Sequence, residues 1–393
     1  MTDKMKIAFV IPWYGDIPGG AETECRQTAE NLQKSGVDVE ILTTCVKQFL
    51  SDWNADYYKE GIYNENGITV RRFSVRKRDT TKFDQVNFKL MHNCRLAPVE
   101  EETFMENMIN SDNLYLYITD HANDYDYFFF IPYMFGTTYY GSRIYPYKSI
   151  LIPCLHDESY AYMDLFKNMF KDVKAVIYNS EPEKELANQI YDIKGHQIVM
   201  GAGMDTDISY NPQRFRDKYN IKNNFILYAG RREAGKNVSL LLEYFAKYKG
   251  SFGGNLKLVL IGKGELAIPK EYKQDIIDLG FVPLEDKLDA YAAATLFCMP
   301  STNESFSIVM MEAWLCGTPV LVHADCAVTR DHCIKSNGGL YFHDYDEFEE
   351  CIKYFMKNPE KRDIMAHNGK KYVLNNYSWK IMVEKYKHLL GVI

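Results

Sequence analysis

Short continuous apolar runs alternate along this chain with longer stretches in which apolar residues recur at helical spacing. The first run, Lys6 to Ile11, leads into a turn rich in Pro and Gly (Pro12, Pro18, Gly19, Gly20), a helix-like stretch through Leu32 and a second run from Val37 to Thr43. Strand, glycine loop, helix and strand in that order begin an open parallel sheet with helices on its faces. Further buried-strand candidates are Ile68 to Val70, Tyr127 to Ile131, Ile150 to Cys154, Ala175 to Tyr178 and Gln197 to Met200. After Gly203 the text becomes polar and turn-prone, from Asp205 to Asn224, and a second alternating series follows. Its strands are Phe225 to Ala229, Leu256 to Ile261, Asp278 to Val282, Leu296 to Pro300, Pro319 to Val322 and Gly339 to Phe342. The pattern predicts a first domain over 1–204, a second over 205–375 and a terminal helical segment over 376–393. In that segment Met382, Tyr386 and Leu389 share one face.

A chain of 393 residues is long enough for two domains of roughly 150 to 200 residues each. The net charge of −7 speaks against a surface that coats nucleic acid, which demands clustered Lys and Arg. Small-molecule substrates fit better. The apolar run at the N-terminus is short and broken by Pro12, and the longest apolar stretch, Phe128 to Phe135, is far below the about 20 residues a membrane helix requires. A cytoplasmic protein is expected. Nine scattered cysteines suit a reducing compartment better than a disulfide framework.

The segment with the sharpest chemistry runs from Pro300 to Pro319. Ser305 or Ser307 can cap a helix, Gly317 supplies a left-handed residue after its end and Pro319 blocks continuation, which predicts a helix from Phe306 to Cys316. Glu304 precedes that helix and Glu312 lies within it. Backbone amides of Ser307, Ile308 and Val309 at the helix start can hold a phosphate, while the flanking carboxylates can bind hydroxyls. By themselves the two acids would be a loop residue and a solvated helix residue. Upstream, the strand ending at Ala229 runs into Gly230, Arg231, Arg232 and Lys236, with Asn237 placed to cap the next helix. This puts cations at the carboxyl end of a strand, where ligands of open α/β sheets bind. Leu258 to Ile261 likewise ends in Gly262 and Gly264.

These segments resemble family 4 glycosyltransferases. The match includes the Glu-x7-Glu spacing of Glu304 and Glu312, the Ala313, Gly317, Thr318 and Pro319 that follow, and the Gly-Arg loop followed by Lys236. Leu279 to Val282, Tyr291 to Ala294, Ile177 to Ser180 and Gly203 to Asp207 fall in the family's order as well. The resemblance implies the GT-B fold, with two Rossmann-like doubly wound domains facing across a cleft and the terminal helix crossing back to the first. It implies a retaining transfer of a hexosyl unit from GDP-mannose or a UDP-hexose to a hydroxyl of a glycan or glycolipid, in bacterial cell-surface polysaccharide synthesis. Glu304 would then bind donor-sugar hydroxyls and Glu312 the ribose, with Arg231 and Lys236 on the diphosphate and Arg232 left open. Ser305, Phe306, Ser307, Ile308 and Val309 would line the donor, and Gly230, Gly262, Gly264 and Val282 would frame the nucleotide. In the first half, Gly19 and Gly20 match the family's glycine loop, and His156 matches a histidine at the cleft. Where that family often has glycines beside the central Phe, this chain has Ser305 and Ser307.

Other readings stay open. Gly262, Gly264 and Ala267 also match a dinucleotide fingerprint, so a nicotinamide-dependent oxidoreductase is a rival, as is a sugar-nucleotide-binding protein without turnover. Three Asp-x-Asp triplets, at Asp124, Asp205 and Asp344, read as coincidence in an acidic chain, and His323, Cys326, His332 and Cys333 lack zinc-knuckle spacing. No metal and no cofactor is expected. The passage from Tyr133 to Tyr140 serves equally as an acceptor-sugar surface or as core. The cations between Arg71 and Lys82 fit either anionic lipid headgroups, hence peripheral contact with the inner face of the membrane, or a solvated strand end and loop.

Overall fold

The computed structural model describes residues 5–17, 19–232 and 234–393. Pro18 and Glu233, which fall in two of the loops singled out above, lie outside the described residues. The chain forms two compact units, Met1–Gly203 together with Met382–Ile393, and Met204–Ile381.

The first unit is built on β1 (Lys6–Ile11), β2 (Asp38–Thr44), β3 (Gly61–Glu65), β4 (Ile68–Phe73), β5 (Tyr127–Phe130), β6 (Ser149–Leu151), β7 (Ala175–Tyr178) and β8 (His196–Val199). They lie in the order β3-β4-β2-β1-β5-β6-β7-β8, parallel except for the β3–β4 pair. Ile7 to Ile11 are buried on both faces, as expected of a central strand flanked by helices. β4 contains the expected run Ile68 to Val70, whereas β3 is absent from the apolar pattern because it is an edge strand whose Ile62 and Tyr63 are exposed. Its signal is the turn: Asn66 and Gly67 both have positive φ, the two-residue connection that Asn-Gly favours.

The second unit follows with β9 (Phe225–Ala229), β10 (Lys257–Ile261), β11 (Ile276–Gly280), β12 (Leu296–Met299), β13 (Val320–His323) and β14 (Gly339–Phe342), all parallel in the order β11-β10-β9-β12-β13-β14. Its core packs Leu258 and Leu260 with Phe245 of the helix Val238–Phe252 and Phe348 of the helix Tyr345–Lys357. Both halves are thus doubly wound parallel sheets.

The terminal helix Trp379–Val392 begins in the second unit, and from Met382 onward its residues belong to the first. Met382, Tyr386 and Leu389 are buried, the Tyr386 ring stands 6.2 Å from that of Phe129, and Lys385 Nζ donates to the Met200 carbonyl at 2.9 Å.

Candidate functional site in the second unit

Three strands deliver their following loops to one place. The Gly230 amide, just beyond β9, donates to the Ile261 carbonyl at 3.0 Å, and the Gly262 amide, just beyond β10, donates to the Gly280 carbonyl at 2.8 Å. Gly262 has φ +136°, and a Cβ there would stand 1.8 Å from the Gly230 carbonyl oxygen, so only glycine allows the two loops to close. Arg232 ties the same loops: its guanidinium donates to the Gly264 carbonyl at 2.9 Å and to Asp278 Oδ2 at 2.8 Å. Burial would raise the Asp278 carboxyl, but the bonds from Arg232 outweigh it and hold it below its ordinary value. Arg232 therefore acts as a loop fastener, whereas Arg231 is exposed at the end of β9. A helix start after Gly264, which a dinucleotide site needs for its pyrophosphate, is missing, because residues 264–269 are irregular.

Lys236 closes a short turn, Ala234–Lys236, before the helix Val238–Phe252. Asn237 adopts a left-handed conformation and makes no side-chain cap; its Nδ2 donates instead to the Pro300 carbonyl at 3.3 Å. Ser301 Oγ donates to the carbonyls of Gly235 and Asn303 at 3.2 and 3.0 Å. The loops after β9 and β12 are joined in this way, and Lys236 Nζ meets Glu304 Oε1 at 2.6 Å with both side chains largely buried.

The helix expected over Phe306 to Cys316 spans Ile308–Leu315. Ser307 stands at its cap position but with φ +71°, and its buried Oγ has no hydrogen-bond partner. The left-handed turn carries the hydroxyl away from the amides it would otherwise cap, so the first amides of the helix keep their capacity to bind an anion. At the other end the amides of Gly317 and Thr318 donate to the carbonyls of Trp314 and Ala313, with Gly317 at φ +80°, which is the expected glycine stop. Phe306 is buried and packs edge-on against Tyr377 and His332 at 4.9 and 5.4 Å. Val282 is buried just beyond β11.

Glu312 is no solvated helix residue. Its Oε1 accepts from Lys287 Nζ at 2.8 Å and its Oε2 from the Tyr291 hydroxyl at 3.1 Å, both on the helix Leu284–Ala293. The signal of Lys287 in the sequence is its four-residue spacing to Tyr291, which places both on one helix face.

Gly19, Gly20 and His156 belong to the first unit. Gly19 is extended at the start of the helix Gly20–Lys34, and a Cβ there would meet Glu22 Oε2 at 2.0 Å. The Glu22 carboxylate, which accepts from Trp13 Nε1 at 2.6 Å, thus lies across the glycine loop. His156 follows β6, with Nδ1 3.8 Å from Glu158 Oε1, and burial pushes the Glu158 carboxyl up to about 7.

Other candidates have structural partners. Asp124 pairs with His121, Asp126 accepts from the Lys6 amide, Asp205 from the Asp207 amide, and Asp344 caps the helix Tyr345–Lys357. His332 bonds Tyr372 at 3.0 Å and is pulled down to about 3 by burial, whereas His323 accepts from the Asp325 amide. Among the described residues no three His, Cys, Asp or Glu side chains stand as a metal-holding group. Tyr133 is buried against Phe166 and Phe170 and serves as core. In the run Arg71 to Lys82, Arg71 pairs with Glu40, Arg72 is buried on Glu65, Arg76 holds Asp112 and Arg78 lies over the rings of Trp53 and Phe83.

Residues 211–372 match the family described as glycosyl transferases group 1. That segment contains every second-unit residue named above as a site candidate. A Campylobacter jejuni N-acetylgalactosamine-N,N'-diacetylbacillosaminyl-diphospho-undecaprenol 4-alpha-N-acetylgalactosaminyltransferase is 32% identical over 49% of this chain and 50% of its own length. The Staphylococcus aureus capsular polysaccharide biosynthesis glycosyltransferase CapM is 25% identical over 48% and 53%. The chain spans about half the length of such curated relatives. Among solved structures, a sucrose-phosphate synthase from Thermosynechococcus elongatus superposes with a TM-score of 0.72 at 16% identity, covering 98% of both chains. Anabaena HepE in complex with UDP and glucose gives 0.69 at 17%, covering 99% of this chain and all of that one. At such identities the likeness establishes the fold, and the two Rossmann-like units are those of GT-B proteins. No helix among the described residues is long and apolar enough to cross a membrane.

Proposed function

We propose that this chain is a retaining glycosyltransferase of family 4 type, which moves a hexosyl unit from a sugar nucleotide to a hydroxyl of a glycan or glycolipid acceptor in polysaccharide synthesis. The observation that carries the reading is the pair of acid–lysine contacts, Glu304 with Lys236 and Glu312 with Lys287, flanking the start of the helix Ile308–Leu315. Carboxylates that accept from hydroxyls, cations and helix amides that hold phosphates are what a sugar joined to a nucleoside diphosphate requires. The match of residues 211–372 and the names of the relatives support it, as does HepE, whose structure holds UDP and glucose.

In this account Glu304 binds donor-sugar hydroxyls and Glu312 the ribose. Arg231, Lys236 and the amides of Ser307 to Val309 stabilise the charge that develops on the departing diphosphate. The acceptor hydroxyl attacks the same face of an oxocarbenium-like centre, and the leaving phosphate takes its proton. The first unit receives the acceptor, while its Gly19 and Gly20 approach the donor and His156 serves catalysis. The clamp consists of side-chain cations and amides, so turnover should persist in EDTA.

A panel of sugar nucleotides, UDP-glucose and GDP-mannose included, tests the reading by thermal unfolding and by release of nucleoside diphosphate. A true donor raises the unfolding temperature, since it binds the native state, and is slowly hydrolysed. A protein unmoved by every sugar nucleotide in both assays does not have this function.

A further inference from the structure

Glu312 receives one donor on each carboxylate oxygen, and both donors come from a single helix. Lys287 Nζ is 2.8 Å from Oε1 and the Tyr291 hydroxyl 3.1 Å from Oε2, with the two residues one turn apart. Tyr291 is fully buried, and its backbone carbonyl accepts from the Thr318 hydroxyl just beyond the helix that bears Glu312. Burial, and then the Glu312 charge, push the Tyr291 phenol well up, so it stays a donor. Lys287 and Glu312 are about as buried as Lys236 and Glu304.

A carboxylate oxygen has two lone pairs, and here each oxygen has spent one. One acceptor position per oxygen remains, with the carboxylate plane fixed from behind. A vicinal diol, with two hydroxyl donors on adjacent carbons, matches that arrangement. A surface ion pair formed only to hold two helices would not need a tyrosine on the second oxygen.

We infer that Lys287 and Tyr291 are positioning residues that fix Glu312 as a reader of the ribose 2′,3′-diol, and so make the second unit selective for ribonucleotides over 2′-deoxyribonucleotides. This rests on the proposed reading of Glu312 as the ribose ligand. Without Lys287 the carboxylate rotates or turns to solvent; without the tyrosine hydroxyl it loses its second anchor. In either case the carboxylate plane is no longer fixed, neither hydroxyl of the diol is held in place, and the preference conferred by the 2′-hydroxyl falls.

Calorimetric titration of the full chain with UDP and 2′-deoxy-UDP, and with GDP and 2′-deoxy-GDP, tests this. Wild-type protein should prefer the ribonucleotide by at least about tenfold, the size of one charge-assisted hydrogen bond. In Lys287→Met the preference should fall below about threefold, chiefly through weaker ribonucleotide binding. Tyr291→Phe should shift it the same way and Lys287→Arg should retain most of it. Thermal unfolding of each variant confirms that it is folded. Lys287→Met and Tyr291→Phe weakening both nucleotides equally, or neither, would overturn the inference while leaving the donor site in place. Wild-type protein that binds none of the four nucleotides would overturn the underlying reading as well.

Discussion

Lys236 and Glu304 are 68 residues apart in sequence, yet their side chains meet at 2.6 Å between the loops that follow β9 and β12. β9 and β12 are neighbours in the sheet, so the contact is a direct product of strand order. It also means that the cation proposed for the diphosphate is already held in place by the acid proposed for the sugar.

Removing either partner should therefore have two effects. Lys236→Ala leaves the mostly buried Glu304 carboxylate unpaired, which should cost about 1–3 kcal/mol of stability in urea unfolding. Nucleoside diphosphate release should fall about 100-fold or more, as for loss of a group that stabilises transition-state charge. Combining Lys236→Ala with Glu304→Gln should recover stability but not turnover, whereas Arg231→Ala should lower turnover with the fold intact. Near-normal turnover in both single variants would remove the diphosphate clamp.

Gly262 tests the loop geometry on which the site depends. Gly262→Ala introduces a Cβ at 1.8 Å from the Gly230 carbonyl oxygen, at a φ of +136° that side chains avoid. It should destabilise the second unit by about 2 kcal/mol or more and weaken nucleotide binding with it. Gly317→Ala, with φ +80° and nothing within 4 Å of its Cβ, carries only the backbone strain and should cost about 1 kcal/mol. Equal effects of the two substitutions on unfolding would show that the close approach of the loops is unimportant.

Much of this was legible because the strands of a parallel sheet are buried on both faces and read as continuous apolar runs. Phe225 to Ala229 and Ala175 to Tyr178 were delimited to the residue. The β3 edge was not, since Ile62 and Tyr63 face solvent and only Asn66-Gly67 announces the hairpin. Gly317 could be read as a helix stop because one residue's conformation suffices for it. Ser307 and Asn237 are not the side-chain caps that spacing predicts: both take left-handed backbone conformations that sequence spacing does not reveal. Lys287 is not legible as a site residue in the sequence because its meaning depends on Glu312, in another helix.

Glu24, in the first unit, predicts a pH dependence of stability. Its Oε2 accepts from Asn179 Nδ2 at 3.0 Å, and its buried Oε1 has no partner. Burial pushes the carboxyl from 4.5 up to about 7, against the opposing bonds from Asn179 and Cys154. The folded protein then holds a proton that the unfolded chain releases, so this contribution is complete below about pH 4.5 and is lost as the pH rises through about 7. Glu24→Gln, which mimics the protonated acid, should be more stable than wild type at pH 8, by up to roughly 3 kcal/mol, and no more stable at pH 4.5. Urea titrations at both pH values measure the difference. The same wild-type-to-variant gap at both would contradict the assignment.

Glu304 and Glu312 should hold different parts of one sugar nucleotide, and calorimetric titration of the nucleoside diphosphate into Glu304→Gln and Glu312→Gln, paired with transfer assays, decides this. Glu312→Gln should weaken nucleoside diphosphate binding by about 1–3 kcal/mol, the loss of a charge-assisted hydrogen bond. Glu304→Gln should leave that affinity nearly unchanged while lowering turnover and the discrimination between donors that differ at a sugar hydroxyl. Equal weakening in both variants, or a binding defect confined to Glu304→Gln, would contradict it.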